Sequence, residues 1–148
     1  GRRMNDNMGR YAARNIIKRM AKRGIHIPGA SVAVLGVTFK ENCPDIRNSK
    51  VFDMIDEFED WGLSVVAMDP LADPSEVARE YEMSLVEKIE KMTVDALVVA
   101  VGHAAFRSMK PAKLMAMCRN QEKAVVADIK SIYDRSAFIE KGFEVFRL

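Results

Sequence analysis

Val32, Ala33, Val34 and Leu35 form an unbroken apolar run closed by Gly36. A run without polar alternation leaves no face for water. It reads as a strand covered on both sides, which demands layers above and below a sheet. Gly36 ends it, where the backbone must turn or come close to another group. Thr38, Phe39, Lys40, Glu41, Asn42, Asp45, Arg47, Asn48 and Ser49 are then crowded together, and helical periodicity resumes at Val51. Polar groups packed between a buried strand and a helix are what a binding loop on a rigid scaffold looks like.

The same alternation continues along the chain. Residues 63–68, 96–101 and 123–129 are further strands, and 143–148 a final edge strand. Helical spacing predicts a first helix over 1–23, with Met4, Met8, Tyr11, Ala12, Ile16 and Met20 as its apolar positions and Gly24 just past its end. It starts with no capping residue, as expected of a segment that continues an upstream part of a longer chain. A second helix runs over 49–61, capped by Ser49, with Val51, Met54, Ile55 and Phe58 inward and Gly62 as its stop. Asp73 and Pro74 open a helix over 74–81, and Ser84 caps a short one over 85–92. After a polar loop over 103–110, a helix follows over 111–118, and a last short one over 136–142. The expected fold is therefore α/β, a Rossmann-like three-layer α-β-α sandwich with a mostly parallel sheet, preceded by the N-terminal helix. Ligands of such sheets bind at the carboxyl ends of the strands. Two of the loops leaving those ends carry cations suited to a phosphorylated ligand: Lys40, Arg47 and Lys130.

Several chemistries are excluded by motif. The first strand ends in GVTFKE and not in GxGxxG, so a standard dinucleotide turn is missing. Asp69 stands where a ribose-binding acid would stand, but in Asp69-Pro70 it reads better as a turn residue. There is no GxxxxGK[ST], CxxC or HExxH, and two separated histidines make no metal site. A net charge of +2 gives no global reason to expect nucleic acid or an anionic membrane as partner. No apolar run reaches the ~18 residues of a membrane span. Two cysteines and no signal peptide fit reduced thiols and a cytoplasmic location.

The block GVTFKENCPDIRNSKV resembles the start of the C-terminal, UDP-binding domain of the UDP-glucose/GDP-mannose dehydrogenase family. Gly36, Thr38, Phe39, Lys40, Asp45, Arg47 and Ser49 carry the likeness. Many family members have Pro after the motif's Ser, whereas Lys50 here looks like the branch that oxidises UDP-N-acetylhexosamines. Residues 1–6 (GRRMND) resemble the end of a long central-domain helix. Asp69-Pro70, residues 95–101 with His103 and Phe106, and Asp128-Ile129-Lys130 also fit.

The resemblance implies a division at residues 1–28, the end of the central-domain helix and its linker, and 29–148, the UDP-binding domain. It implies a UDP-sugar substrate touched by Phe39, Lys40 and Lys130, and NAD touched by Arg47 but bound mainly by a different domain. Read from the residues alone, Lys40 is equally a solvated loop lysine, Phe39 a staple of its loop and Lys130 a surface lysine. Arg47 is equally the partner of Asp45 or Asp53. The parent reaction would oxidise the sugar C6 alcohol to a carboxylate, for polysaccharide precursors, through a cysteine outside this chain. The implied partners are the NAD-binding and central domains, in a homo-oligomeric parent. No catalytic or metal-binding residue is expected here, and the 148-residue chain alone is expected to be inactive. Cys43 has no base beside it and reads as structural, Cys118 as core, and His103 as either a ligand neighbour or a backbone-bonded loop residue. The alternative from another class is a stand-alone nucleotide-binding regulatory module.

Overall fold

The computed structural model describes the backbone of residues 2–148 and the side chains of residues 8–148. The apolar position Met4 and the block at residues 1–6 lie outside the described side chains. Helix α1 spans Arg2–Lys22 and leads into β1 (Ser31–Leu35). Then come α2 (Val51–Asp60), β2 (Ser64–Met68), α3 (Pro74–Tyr81) and β3 (Ala96–Val99). Two short helices follow, α4 (Ala104–Arg107) and α5 (Pro111–Met115). The chain ends through β4 (Val125–Asp128), α6 (Arg135–Ile139) and β5 (Glu144–Phe146).

The five strands form one sheet in the order β2-β1-β3-β4-β5, every pair parallel. The α/β sandwich expected from the alternation is what forms. Period-two alternation on each strand sorts the core into two layers. Val32 and Val34 face α1, α2 and α3. Ala33 and Leu35 face α4, α5 and α6 through Phe106, Leu114 and Phe138. Since β2 lies on one side of β1 and β3 on the other, the chain reverses direction at the β1–β3 junction. Gly36 sits there with φ +95°, and a Cβ on it would stand 2.7 Å from the Val101 side chain. Only glycine lets the two strand ends close this tightly.

The buried stripe of α1 is Ala12, Ala13, Ile16, Ile17 and Met20. Met8 and Tyr11, expected inside, are exposed. Gly9 takes the close contact at that end of the helix: a Cβ there would lie 2.4 Å from the Lys50 carbonyl oxygen, so α1 and the start of α2 touch backbone to backbone. At the other end Arg19 pairs with Glu144, and Arg23 donates to the carbonyls of Glu122, Lys123 and Gly142. These bonds fasten α1 to the far edge of the sheet.

Four local expectations are corrected. Lys50, not Ser49, is the N-cap of α2; the Ser49 hydroxyl accepts from Val51 N at 3.3 Å and donates to the Thr38 carbonyl. No helix forms over 85–92. Leu85 bridges Ala67 and Val86 N donates to Ala67 O at 2.9 Å, so this segment covers the open edge of β2, satisfying backbone that a helix would have left bare. The loop over 103–110 contains a helical turn, α4, seated by the buried Phe106. Helix α5 stops at Met115, and Val94 and Cys118 meet beyond it in a bridge. The Asp73 cap forms as expected, its carboxylate accepting from Ser75 N at 2.9 Å.

Candidate functional site

The carboxyl ends of β1, β3 and β4 open into a cleft of about 430 Å³. The loop after β1 gives it Thr38, Phe39, Lys40 and Glu41. Residues 100–102 and Arg107 come from the β3 side, Ile129 and Lys130 from β4. Met8, Gly9 and Ala12 of α1 close one wall. Of the residues singled out in the sequence, Phe39, Lys40 and Lys130 are brought together here from loops some ninety positions apart in the chain (130 − 40). Both lysines are exposed, and neither ammonium has a carboxylate partner among the described residues. Phe39 is 55% exposed, unusual for a large aromatic with a core nearby, and offers a flat apolar surface beside the cations.

Arg47 does not line this cleft. Its guanidinium makes a bidentate pair with Asp45, Nε to Oδ1 at 2.9 Å and Nη2 to Oδ2 at 3.0 Å, and stands largely in solvent. The Asp45 carboxyl is held below its ordinary range by these bonds from Arg47. The pair also fixes a turn, since Asp45 Oδ1 accepts from Arg47 N.

The loop that carries Lys40 is built from within. Phe39 N donates to Asp45 O at 2.7 Å, Thr38 Oγ1 donates to Lys40 O at 3.0 Å, and Ile46 is buried as an anchor. Beneath it lies a buried network that the sequence reading did not find. His103 Nε2 is 3.0 Å from both Asp69 Oδ2 and Thr38 Oγ1, and its Nδ1 accepts from Asn42 N at 2.9 Å. An amide N–H can only donate, so Nδ1 is the unprotonated nitrogen and Nε2 carries the proton. Asp69 is a turn residue as expected, its Oδ1 accepting from Leu71 N and Ala72 N. It is more than that, because Oδ2 also accepts from Val37 N at 2.7 Å.

Thr, His and Asp together invite comparison with a nucleophilic triad. There, acid and nucleophile occupy opposite ring nitrogens; here both meet Nε2, and the ring is buried. The arrangement locks three loops and does no proton relay. His103 is thus a backbone-bonded residue under the cleft. Asn42 completes the lock, its Oδ1 accepting from Ala104 N. The separate strand ends of Asp69 and His103 were the available signal: both follow apolar runs that terminate at the same sheet edge.

The loop of Lys130 is shaped in the same way. The buried Asp128 carboxylate accepts from Ile132 N at 3.0 Å and Tyr133 N at 2.9 Å, which turns residues 129–131 outward. Cys118 is buried, and burial pushes its thiol up to about 12, so it takes no part. Cys43 is partly exposed and makes no disulfide. Among the described residues no group of His, Cys, Asp and Glu is arranged to hold a metal. No helix among them is long and apolar enough to cross a membrane.

Comparison with known proteins gives a consistent result. Residues 33–135 match the model of the UDP-glucose/GDP-mannose dehydrogenase family, UDP binding domain. The chain is 42% identical over 132 residues to UDP-N-acetyl-D-glucosamine 6-dehydrogenase of Salmonella typhi, covering 89% of this chain and 31% of that protein. It is 41% identical over 132 residues to Protein CapL of Staphylococcus aureus, covering 89% and 30%. The solved structure of NDP-N-acetyl-D-galactosaminuronic acid dehydrogenase from Methanosarcina mazei Go1 superposes with a TM-score of 0.84 at 25% identity, over 99% of this chain and 30% of that one. The chain therefore spans about a third of the length of the relatives it matches.

Proposed function

Since the chain belongs to the UDP-glucose/GDP-mannose dehydrogenase family, matching its UDP binding domain over residues 33–135, we propose that the cleft holds the UDP portion of a UDP-N-acetylhexosamine. The carrying observation is the pair of cations without a carboxylate partner among the described residues, Lys40 and Lys130, on one cleft beside the exposed ring of Phe39. A diphosphate supplies the negative charge that two such ammonium groups lack. The aromatic face and the apolar wall from α1 suit the nucleoside and sugar ring. The hexosamine branch is favoured by Lys50 after the Ser49 motif and by the name of the Salmonella typhi relative.

In the parent reaction the C6 alcohol of the sugar is oxidised to a carboxylate, a step for polysaccharide precursors in the cytoplasm. Alcohol to carboxylate removes two hydrides and takes one oxygen from water; two NAD, bound in turn, would accept the hydrides. Residues 36–41 offer NAD no glycine cradle, which favours a main site on another domain. Arg47 is the one residue assigned to it here: Asp45 pre-orients its guanidinium toward solvent, where an incoming domain would meet it. Residues 1–28 are assigned to the end of the central domain and 29–148 to the UDP-binding domain. The contribution of this chain is to grip the UDP handle, so that binding energy remote from C6 fixes the reacting carbon. The parent is proposed to be a homo-oligomer.

The test is a titration of the 148-residue chain with UDP, followed by NMR. One wall of a site binds weakly, with a dissociation constant of roughly 1 mM. The amides of Lys40 and Lys130 should shift together. Shifts confined to the loop at 69–74 would place the ligand elsewhere and end this reading.

A further inference from the structure

We propose that Arg107 is a third phosphate-gripping residue of the cleft, held off by Glu41 until a nucleoside diphosphate displaces that carboxylate. The inference rests on the cleft being the UDP site. Arg107 closes α4, on the β3 side of the cleft, and Glu41 directly follows Lys40 on the β1 side. Arg107 Nη2 is 3.1 Å from Glu41 Oε2, and both side chains are about half exposed. Arg107 Nε donates to Gly102 O at 3.0 Å. That tether holds the guanidinium against the strand end while its other N–H donors stay available.

Gly102 makes the placement possible. A Cβ on it would come within 3.1 Å of Arg107 Nη2 and 3.4 Å of Glu41 Oε2, so the ion pair lies directly over this glycine. A half-exposed pair of this kind is held weakly, because water competes for both charges. A diphosphate brought in by Lys40 and Lys130 carries more charge than one carboxylate and matches the guanidinium fork. Glu41, lying beside Lys40, opposes the same anion. The pair then does two things at once: it parks the arginine until a ligand arrives, and it sets a threshold that weakly charged ligands do not cross.

The bland account makes the pair a staple between the loop after β1 and α4. The two accounts differ in sign. A staple loses affinity when either partner is removed, since the Lys40 loop loosens in both cases. A masked arginine loses affinity when Arg107 is removed and gains it when Glu41 is neutralised.

The experiment titrates UDP, and uridine as a phosphate-free control, into the 148-residue chain and its Arg107→Gln, Glu41→Gln, double and Lys130→Ala variants, with a thermal melt of each. Arg107→Gln should weaken UDP about fivefold, the loss of one charge-assisted contact. Glu41→Gln should tighten it about threefold, on the scale of a half-exposed ion pair. The double variant should bind more tightly than Arg107→Gln, but Glu41→Gln should gain less there than when Arg107 is present to be released, and uridine should respond to none of them. Weakening by Glu41→Gln as well as by Arg107→Gln, with melts unchanged, overturns the proposal in favour of the staple. A change in uridine binding equal to that in UDP binding overturns it too. If Lys130→Ala leaves UDP binding untouched, the site reading itself has failed. If Arg107→Gln does not fold, the sign from Glu41→Gln alone decides, because that variant keeps the tether to Gly102.

Discussion

The Asp69 carboxylate and the His103 ring meet 3.0 Å apart, both shut away from solvent, and between them they hold the ends of three strands in register. Asp69 accepts from Val37 N, Leu71 N and Ala72 N, while His103 accepts from Asn42 N. Asp69→Ala strands several of these donors together and should cost roughly 2–4 kcal/mol of stability. His103→Leu leaves Asp69 its backbone donors but frees Asn42, so it should loosen the Lys40 loop and weaken UDP with a smaller loss of stability. Urea unfolding of each variant beside a UDP titration checks both. Equal stability of Asp69→Ala and the unaltered chain would show the network to be idle.

Gly9 meets the Lys50 carbonyl so closely that no side chain fits between α1 and α2. Gly9→Ala improves helix propensity, yet it must push two backbones apart. The steric term should win, with a net loss of roughly 1–3 kcal/mol. Circular-dichroism melts decide it, since a rise in Tm would mean the helices separate without cost.

Lys40 and Lys130 border the cleft, whereas Arg47 is paired with Asp45 outside it. Lys40→Ala and Lys130→Ala should each raise KM for the UDP-sugar in the proposed parent dehydrogenase, by about tenfold for a lost phosphate contact. Arg47→Ala should instead raise KM for NAD and leave UDP binding to the 148-residue chain unchanged. Steady-state kinetics with each substrate varied in turn is the measurement. Equal damage by Lys40→Ala and Arg47→Ala toward both ligands would mean the loop they share acts as one closing element.

The Glu57 carboxylate is buried between α1 and α2. Burial pushes its pKa up, but bonds from Arg10 at 2.8 Å, Trp61 at 2.8 Å and Arg14 at 3.1 Å outweigh that and hold it below the ordinary value. A depressed folded pKa gives stability that is present above the unfolded value, about 4.3, and lost as pH falls through the folded one. Glu57→Gln should therefore melt below the unaltered chain at pH 7, with the gap closing below about pH 4. A gap constant from pH 7 to pH 3 would assign the loss to packing.

The sheet was legible because its signals are local. Val32–Leu35 and Ala96–Val99 carry their burial in their own composition, and Gly24, Gly36 and Gly62 mark the stops with positive φ. Lys40 and Lys130 could be placed on one edge because parallel strands send their following loops to the same end. What escaped is set by partners far along the chain. Nothing local says that Leu85 covers β2, that His103 turns inward to Asp69, or that Gly9 is an interhelical contact. Glu41 and Arg107 escaped for the same reason: each reads as a surface charge until the fold brings them within 3.1 Å.

The bond from Arg19 to Glu144 spans 125 positions, nearly the whole chain. Closing so wide a loop costs entropy that only the finished sheet returns. During synthesis α1 and α2 are made before β5 and can pair first. The strand that pins α1 to the sheet, β5, comes last of these elements in chain order, so the α1 edge of the cleft takes its final position only once β5 has been made and has joined the sheet.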